Sequence, residues 1–209
     1  MKLIEQLQWR YAVKRMDGTE VSEEKVRKIL ESVRLAPTSM GLQPFEILVI
    51  ENPEVKKDIF QIACGQPQIL ECSHLLIFTG WNNVTDLQVE NYMKTIAETR
   101  DLELDLLDDF KRSILKFIRS RNEAEIKEWA ARQVYLALGT AIDAAALSHV
   151  DATPMEGFNA QAIDEYFNLN DDHLHSVVLL ALGYRDVHKD EFADAPKVRR
   201  HFDDLFRFI

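Results

Sequence analysis

Apolar positions along the chain follow two periods. Val26, Ile29, Leu30 and Val33 recur at i, i+3, i+4 and i+7, which is one face of a helix. Ser22 stands ahead of them as an N-cap, and Glu23 and Glu24 fill the first turn, where the helix dipole favours acid. Pro37 disfavours helical geometry in the residue before it, so this helix must end near Ala36. Residues 2–9 predict a shorter amphipathic helix, with Leu3, Ile4 and Leu7 on one face, running into a basic stretch at 10–15. Three short apolar runs, 45–50, 75–79 and 176–182, do not alternate; they predict strands of a sheet covered on both faces. Asn52 and Pro53 predict a cap and first-turn proline for a helix through about Ala63, and the turn-rich segment 37–44 precedes the first strand.

The interval from about 83 to 122 contains neither glycine nor proline, is heavily charged and reads as helical. Asn122, backed by Glu123 and Glu125, caps a long helix running to about His149. Its part from 134 to 147 is apolar or small except for Asp143, which predicts a helix buried on all sides and extending into a subunit interface. Asp143 itself is expected to be a hydrogen-bonded helix residue. The whole, 1–209, reads as one helix-rich α+β domain.

Composition narrows the function. The 209 residues are 46% hydrophobic, which is incompatible with a disordered chain. With 25 basic and 35 acidic residues the net charge is −10, which argues against nucleic acid as a partner. The longest apolar run, 177–182, is too short to span a bilayer, and the first residues show no signal peptide, so a cytoplasmic protein without a membrane partner is expected. Cys64 and Cys72 make neither a disulfide framework nor a metal pattern. His173 and His175, the one close histidine pair, are expected on a surface turn rather than in a metal site. The seven glycines are too far apart for a dinucleotide fingerprint, and none precedes a lysine as a Walker loop requires. Any nucleotide must therefore be held by side chains.

Three places combine residues that a core does not demand. Arg10 and Lys14 sit at a helix-to-loop junction. Near the C-terminus, Pro196-Lys197-Val198-Arg199-Arg200 puts two arginines at the predicted start of a last helix, where positive charge opposes the dipole unless an anion sits there. Thr153-Pro154-Met155-Glu156-Gly157-Phe158 reads as a turn after the buried helix, able to aim backbone N–H groups at a flat ligand. Each has a plainer reading, as a solvated patch, a solvated face and a connecting turn.

Taken together and in this order, the segments resemble the FMN-dependent nitroreductase family. Arg10-Tyr11-Ala12-Val13-Lys14 is similar to the family's Arg-x-Ser-x-Lys start, and L-A-P-T-S-M-G-L-Q-P-F at 35–45 to its Pro-Ser-Ser-x-Asn-x-Gln-Pro-Trp segment. G-Q-P-Q-I-L-E-C-S-H at 65–74 resembles the stretch before its second strand, and W-A-A-R-Q-V-Y-L-A-L-G at 129–139 its dimer helix. T-P-M-E-G-F at 153–158 and A-P-K-V-R at 195–199 complete the set.

The resemblance implies a nitroreductase-like α+β fold: a central, mostly antiparallel or mixed sheet flanked by helices, with a long buried dimer helix. It implies a homodimer that takes hydride from NAD(P)H as co-substrate onto FMN and reduces nitroaromatic or quinone-type small molecules by a ping-pong scheme. No side chain need act as acid or base, since flavin N5 carries the hydride. Arg10, Lys197 and Arg199 would hold the phosphate, with Tyr11 and Ala12 in the same binding segment, and Lys14 would reach the pyrimidine edge. Pro154 would lie on one flavin face, with Met155 beside it, and the amides of Glu156 and Gly157 would face N5 and O4. Pro37, Thr38, Ser39 and Gly41 would come from the other subunit. Met40 would lie at the substrate mouth; Phe110 and Phe117, within a helical interval 83–122 long enough for a lid, either cap a flat ligand or only pack helix against helix.

The chain departs from the family pattern at several positions. Ala12 replaces a hydroxyl residue, Gly65 an asparagine at the pyrimidine and Gln68 a lysine, which removes one stabiliser of the reduced flavin anion. Met40-Gly41 replaces a more polar pair. Two other readings stay open here: a flavin destructase or dehalogenase of the same fold, and a flavin-binding module without turnover.

Overall fold

The computed structural model describes residues 2–209. The chain begins with helix α1 (Lys2–Trp9) and, after the basic loop, helix α2 (Glu23–Arg34). Val26, Ile29 and Val33 of α2 are buried, as their spacing predicts. Ser22 precedes α2, yet its side chain makes no cap bond; its carbonyl instead accepts from Lys25 and Val26 N–H. Strand β1 (Phe45–Ile50) and helix α3 (Pro53–Ile62) follow, with Asn52 Oδ1 accepting from Glu54 N–H at 2.9 Å. A one-turn helix, α4 (Gln68–Glu71), leads into β2 (His74–Trp81). The interval 83–122 is helical, as α5 (Asp86–Arg100) and α6 (Asp108–Arg119). Helix α7 (Glu123–Leu147) opens on a full capping box between Asn122 and Glu125. Strand β3 (Asp151–Met155), helix α8 (Ala160–Tyr166), strand β4 (Leu174–Gly183) and a short α9 (Phe202–Leu205) complete the chain. Among the described residues no helix is long and apolar enough to cross a membrane.

The sheet runs β1-β2-β4-β3 with every pairing antiparallel, so the mixed alternative is not realised among the described residues. Alternation along the central strands divides the core in two. Leu76, Phe78, Val178, Leu180 and Leu182 meet α2 and α7 on one face. On the other, Leu75, Ile77, Leu179 and Ala181 meet Ile59, Ile69 and Ile163. Both faces are therefore dry, which is why the two central strands read as continuous apolar runs.

Three expectations need correction. Residues 153–155 lie in strand β3 rather than in a turn, paired with β4 through Thr153–Ala181, Pro154–Leu180 and Met155–Leu179. An edge strand tolerates Pro154 because its missing N–H can face away from the neighbour. Second, α7 is not buried all round in one chain: Arg132, Tyr135, Leu136, Gly139 and Leu147 form an exposed stripe at helical spacing. Third, Arg199 and Arg200 do not open a helix; they precede His201, the N-cap position of a four-residue α9, so the dipole argument lapses.

Candidate functional site

The loop after α1 is pinned from three sides. Thr153 Oγ1 and Gln68 Nε2 both donate to Val13 O, at 2.9 and 3.2 Å. Asp190 takes the Lys14 N–H at 2.7 Å, and Glu71 takes the Met16 N–H at 2.9 Å together with the Arg15 guanidinium. Held in this way, the loop forms one wall of a cavity of about 600 Å³, within the range of cofactor sites. Arg10, Tyr11, Ala12 and Lys14 line it from the loop, Pro154 from β3, and Lys197 and Arg199 from the segment before α9.

Arg185, which the sequence did not single out, adds a fifth cation to the lining. Its guanidinium lies over the rings of Trp9 and Tyr11, 4.3 and 4.5 Å from their centroids, and pairs with the buried Asp151 at 2.5 Å. The cations strain against one another. Burial, then the charge of Arg199, holds Arg10 below its ordinary pKa; burial, then Arg10 and Arg199, does the same to Lys197. Arg10 Nε is buried with no hydrogen-bond partner, while Lys197 Nζ donates to the Arg10 carbonyl. Asp143 lies in α7 as expected, without a hydrogen bond among the described residues, and it is the weakest of the charges that bear on Arg10. A cluster of this sign with a buried N–H left over is complementary to an anion.

Gln68 is almost wholly buried, so it works by bracing Val13, with its Oε1 left unpartnered. Its neighbours Gln66 and Pro67, with Lys14 and Phe192, line a second cavity of about 380 Å³ that shares Lys14 and Phe192 with the first. Gly65 has open space around it. Gly157 lies against Gln66, whose Nε2 would sit 4.0 Å from an added Cβ. Met155 packs its side chain into the core, so any cofactor contact there falls to its backbone. Glu156 Oε1 accepts from Tyr135 OH at 2.5 Å, and burial, then this bond, pushes the phenol up to about 12.

The segment 37–41 is not part of this group. Ser39 N–H donates to Gln133 Oε1 at 2.8 Å on the far side of α7. Gln133 and Tyr135 are two residues apart, and such positions point about 200° apart on a helix. Helix α7 thus stands between 37–41 and Glu156 within one chain. The segment is tightly specified: Met40 and Gln43 hold positive φ, which costs energy in non-glycine residues. Gly41 (φ 71°) has no alternative, since an added Cβ would lie 2.3 Å from the Tyr92 hydroxyl. That hydroxyl donates to Met40 O at 2.9 Å, tying α5 to the loop. Phe110 meets Tyr92 edge-on at 6.5 Å, whereas Phe117 packs on Trp129 at 5.5 Å under Arg121. Pro37 and Thr38 lie with this loop, Thr38 Oγ1 accepting from Gln43 N–H. His175 is not on a turn; it lies in β4, half-buried, with burial and then Lys127 lowering its pKa.

Comparison with known proteins puts this geometry in context. The model of the nitroreductase family matches residues 7–184. A Staphylococcus haemolyticus protein provisionally named an NAD(P)H nitroreductase is 32% identical over 99% of this chain and 97% of its own. The major NAD(P)H-flavin oxidoreductase of Aliivibrio fischeri is 29% identical over 99% and 98%. A solved structure provisionally named a nitroreductase, from Exiguobacterium sibiricum in complex with FMN, superposes with a TM-score of 0.85 at 24% identity, covering 99% of this chain and 97% of that one.

Proposed function

The chain belongs to the nitroreductase family, and from that premise we propose an FMN-dependent NAD(P)H oxidoreductase, active as a homodimer, that reduces nitroaromatic or quinone-type acceptors by a ping-pong scheme. The observation that carries this reading is the convergence of Arg10, Lys197, Arg199 and Arg185 on one cavity, with Arg10 Nε buried and unpartnered. A phosphate there relieves the mutual repulsion and satisfies the orphaned donor, so the residues present fit the cofactor.

In this reading Arg10, Lys197 and Arg199 grip the phosphate, and Lys14, next along the cavity wall, lies at the pyrimidine edge. Pro154 gives a flat floor because its ring replaces an N–H on the outer side of β3. Tyr135 fixes Glu156, and with it the amides of Glu156 and Gly157 that would face the reacting edge. Bound there, FMN supplies an acceptor for the hydride of NAD(P)H and a donor to the second substrate. The segment 37–41 would reach the flavin only from a second copy, across the exposed stripe of α7. The C-terminal segment, which leaves Val198, Phe202, Phe206 and Phe208 exposed, favours the same assembly.

The test is direct. The purified protein should be yellow, absorbing near about 450 nm, and should bleach anaerobically on adding NAD(P)H, then recover with a nitro or quinone acceptor. A colourless protein that takes up no FMN would rule the reading out. Arg10→Ala and Lys197→Ala should each weaken FMN binding by about 1.5–3 kcal/mol, the range for hydrogen bonds to charged groups, as read by fluorescence titration. Helices α5 and α6 would form the lid. Phe110→Ala should then change the ratio of kcat/KM for nitro against quinone acceptors while reduction by NAD(P)H stays near wild type. Unchanged ratios would leave the lid without a role in selection.

A further inference from the structure

The cation cluster combines two parts of the chain that meet at very few points. Arg10 and Lys14 belong to the braced N-terminal loop, while Lys197 and Arg199 belong to a segment whose residues are almost all exposed. The last buried residue of the chain is Asp190, which is 5% exposed. Its Oδ2 accepts from Lys14 N–H at 2.7 Å, Arg15 N–H at 3.4 Å and Tyr11 OH at 3.1 Å. Its Oδ1 accepts from Phe192 N–H at 2.9 Å, which turns the chain toward Lys197. One carboxylate therefore joins both walls of the cavity. Among the described residues Lys197 Nζ also donates to the Arg10 carbonyl.

A carboxylate beside an anion site opposes the anion by its charge, so its value there has to be geometric. Arg10, Lys197 and Arg199 repel one another, and something must hold them together before any phosphate arrives. We propose that Asp190 is the positioning residue of the phosphate grip, clasping the segment that carries Lys197 and Arg199 to the loop that carries Arg10 and Lys14. This rests on the flavin reading above and adds to it a preorganising group that touches neither cofactor nor substrate. Tyr11 shares the clasp, and burial, then Asp190, pushes its phenol up to about 12, so it stays a donor at all working pH values.

Comparing FMN with riboflavin, which lacks the phosphate, isolates the effect. Wild-type protein should prefer FMN, and Asp190→Ala should cut that preference by about tenfold or more, the scale of one charge-assisted hydrogen bond, while riboflavin affinity stays within about threefold. Asp190→Asn, which keeps an oxygen acceptor in the same volume, should recover part of the preference. Tyr11→Phe should lose a smaller part. If both flavins weaken in proportion, or neither changes, Asp190 is not positioning the grip. Should Asp190→Ala fail to fold, Asp190→Asn decides by the same ratio: an unchanged ratio defeats the proposal and a reduced one upholds it. A wild-type protein that binds both flavins equally would instead defeat the phosphate assignment itself.

Discussion

Leu136→Arg is expected to yield a folded, colourless monomer. Leu136 lies on the exposed stripe of α7 and is 48% exposed within its own chain. Leucine and arginine have similar helix propensities, so an isolated chain should tolerate the change within about 0.5 kcal/mol. Against a second copy the outcome differs. A two-fold contact presents the same patch twice, so each new charge is buried without a partner and lies near its own image. Removing a charge from water without compensation costs several kcal/mol, enough to shift a dimer constant by about a thousandfold or more. If 37–41 of one chain completes the flavin site of the other, FMN leaves as the chains separate. Sedimentation, absorbance near about 450 nm and circular dichroism read the three parts of this outcome. A yellow dimer would show that the stripe is not the contact. Ala137→Glu and Leu138→Arg make the control. Both residues face the chain's own core, at 0% and 4% exposure, and charging them should destroy cooperative unfolding rather than separate subunits.

Asp151→Ala should bring the largest loss of stability that leaves the sheet intact. The carboxylate is 2% exposed and accepts from Arg185 through the backbone N–H at 2.9 Å, Nε at 3.0 Å and the terminal nitrogen at 2.5 Å. Its removal leaves a guanidinium under two aromatic rings, beside Arg10 and Lys197, with no counter-charge. Breaking a buried pair from one side costs about 3–5 kcal/mol, and the partial exposure of Arg185 favours the low end. For a chain of this size that is a fall of about 6–12 °C in Tm by calorimetry. The double variant Asp151→Ala, Arg185→Leu should recover most of it, because no orphaned charge remains. If the double variant is no better than the single, the loss comes from the strand and not from the stranded cation.

The elements that the sequence revealed are those whose signal is local. The α2 stripe, the Asn122 capping box and the continuous runs of β2 and β4 each record their own surroundings. Strand β3 escaped because Asp-Ala-Thr-Pro-Met has neither an apolar run nor alternation, and proline usually argues against a strand. With β3 unseen, Asp151 could not be placed opposite Gly183, and so its pairing with Arg185, which lines the cavity, was out of reach. Helix α7 misled for a related reason. Apolarity alone does not say what meets a face, and the stripe at Arg132, Tyr135, Leu136, Gly139 and Leu147 is exposed in the single chain. The segments at 10–14, 153–158 and 196–200 stood out by composition and then by resemblance, whereas Asp190, whose carboxylate braces Lys14, carries no signature. Bracing residues are defined by whom they meet across long stretches of sequence.

The cation cluster spans most of that distance, joining residue 10 to residue 199. During synthesis the loop bearing Arg10 emerges first and the sheet can assemble once β4 is out, but Lys197 and Arg199 come after every strand. At about 5–20 residues per second, Lys197 follows the end of β4 by about 1–3 s, and until then the cluster lacks its last two cations. In the flavin reading an anionic ligand would therefore load only after the sheet is complete, and fragments that stop after β4 would carry the sheet without Lys197 and Arg199.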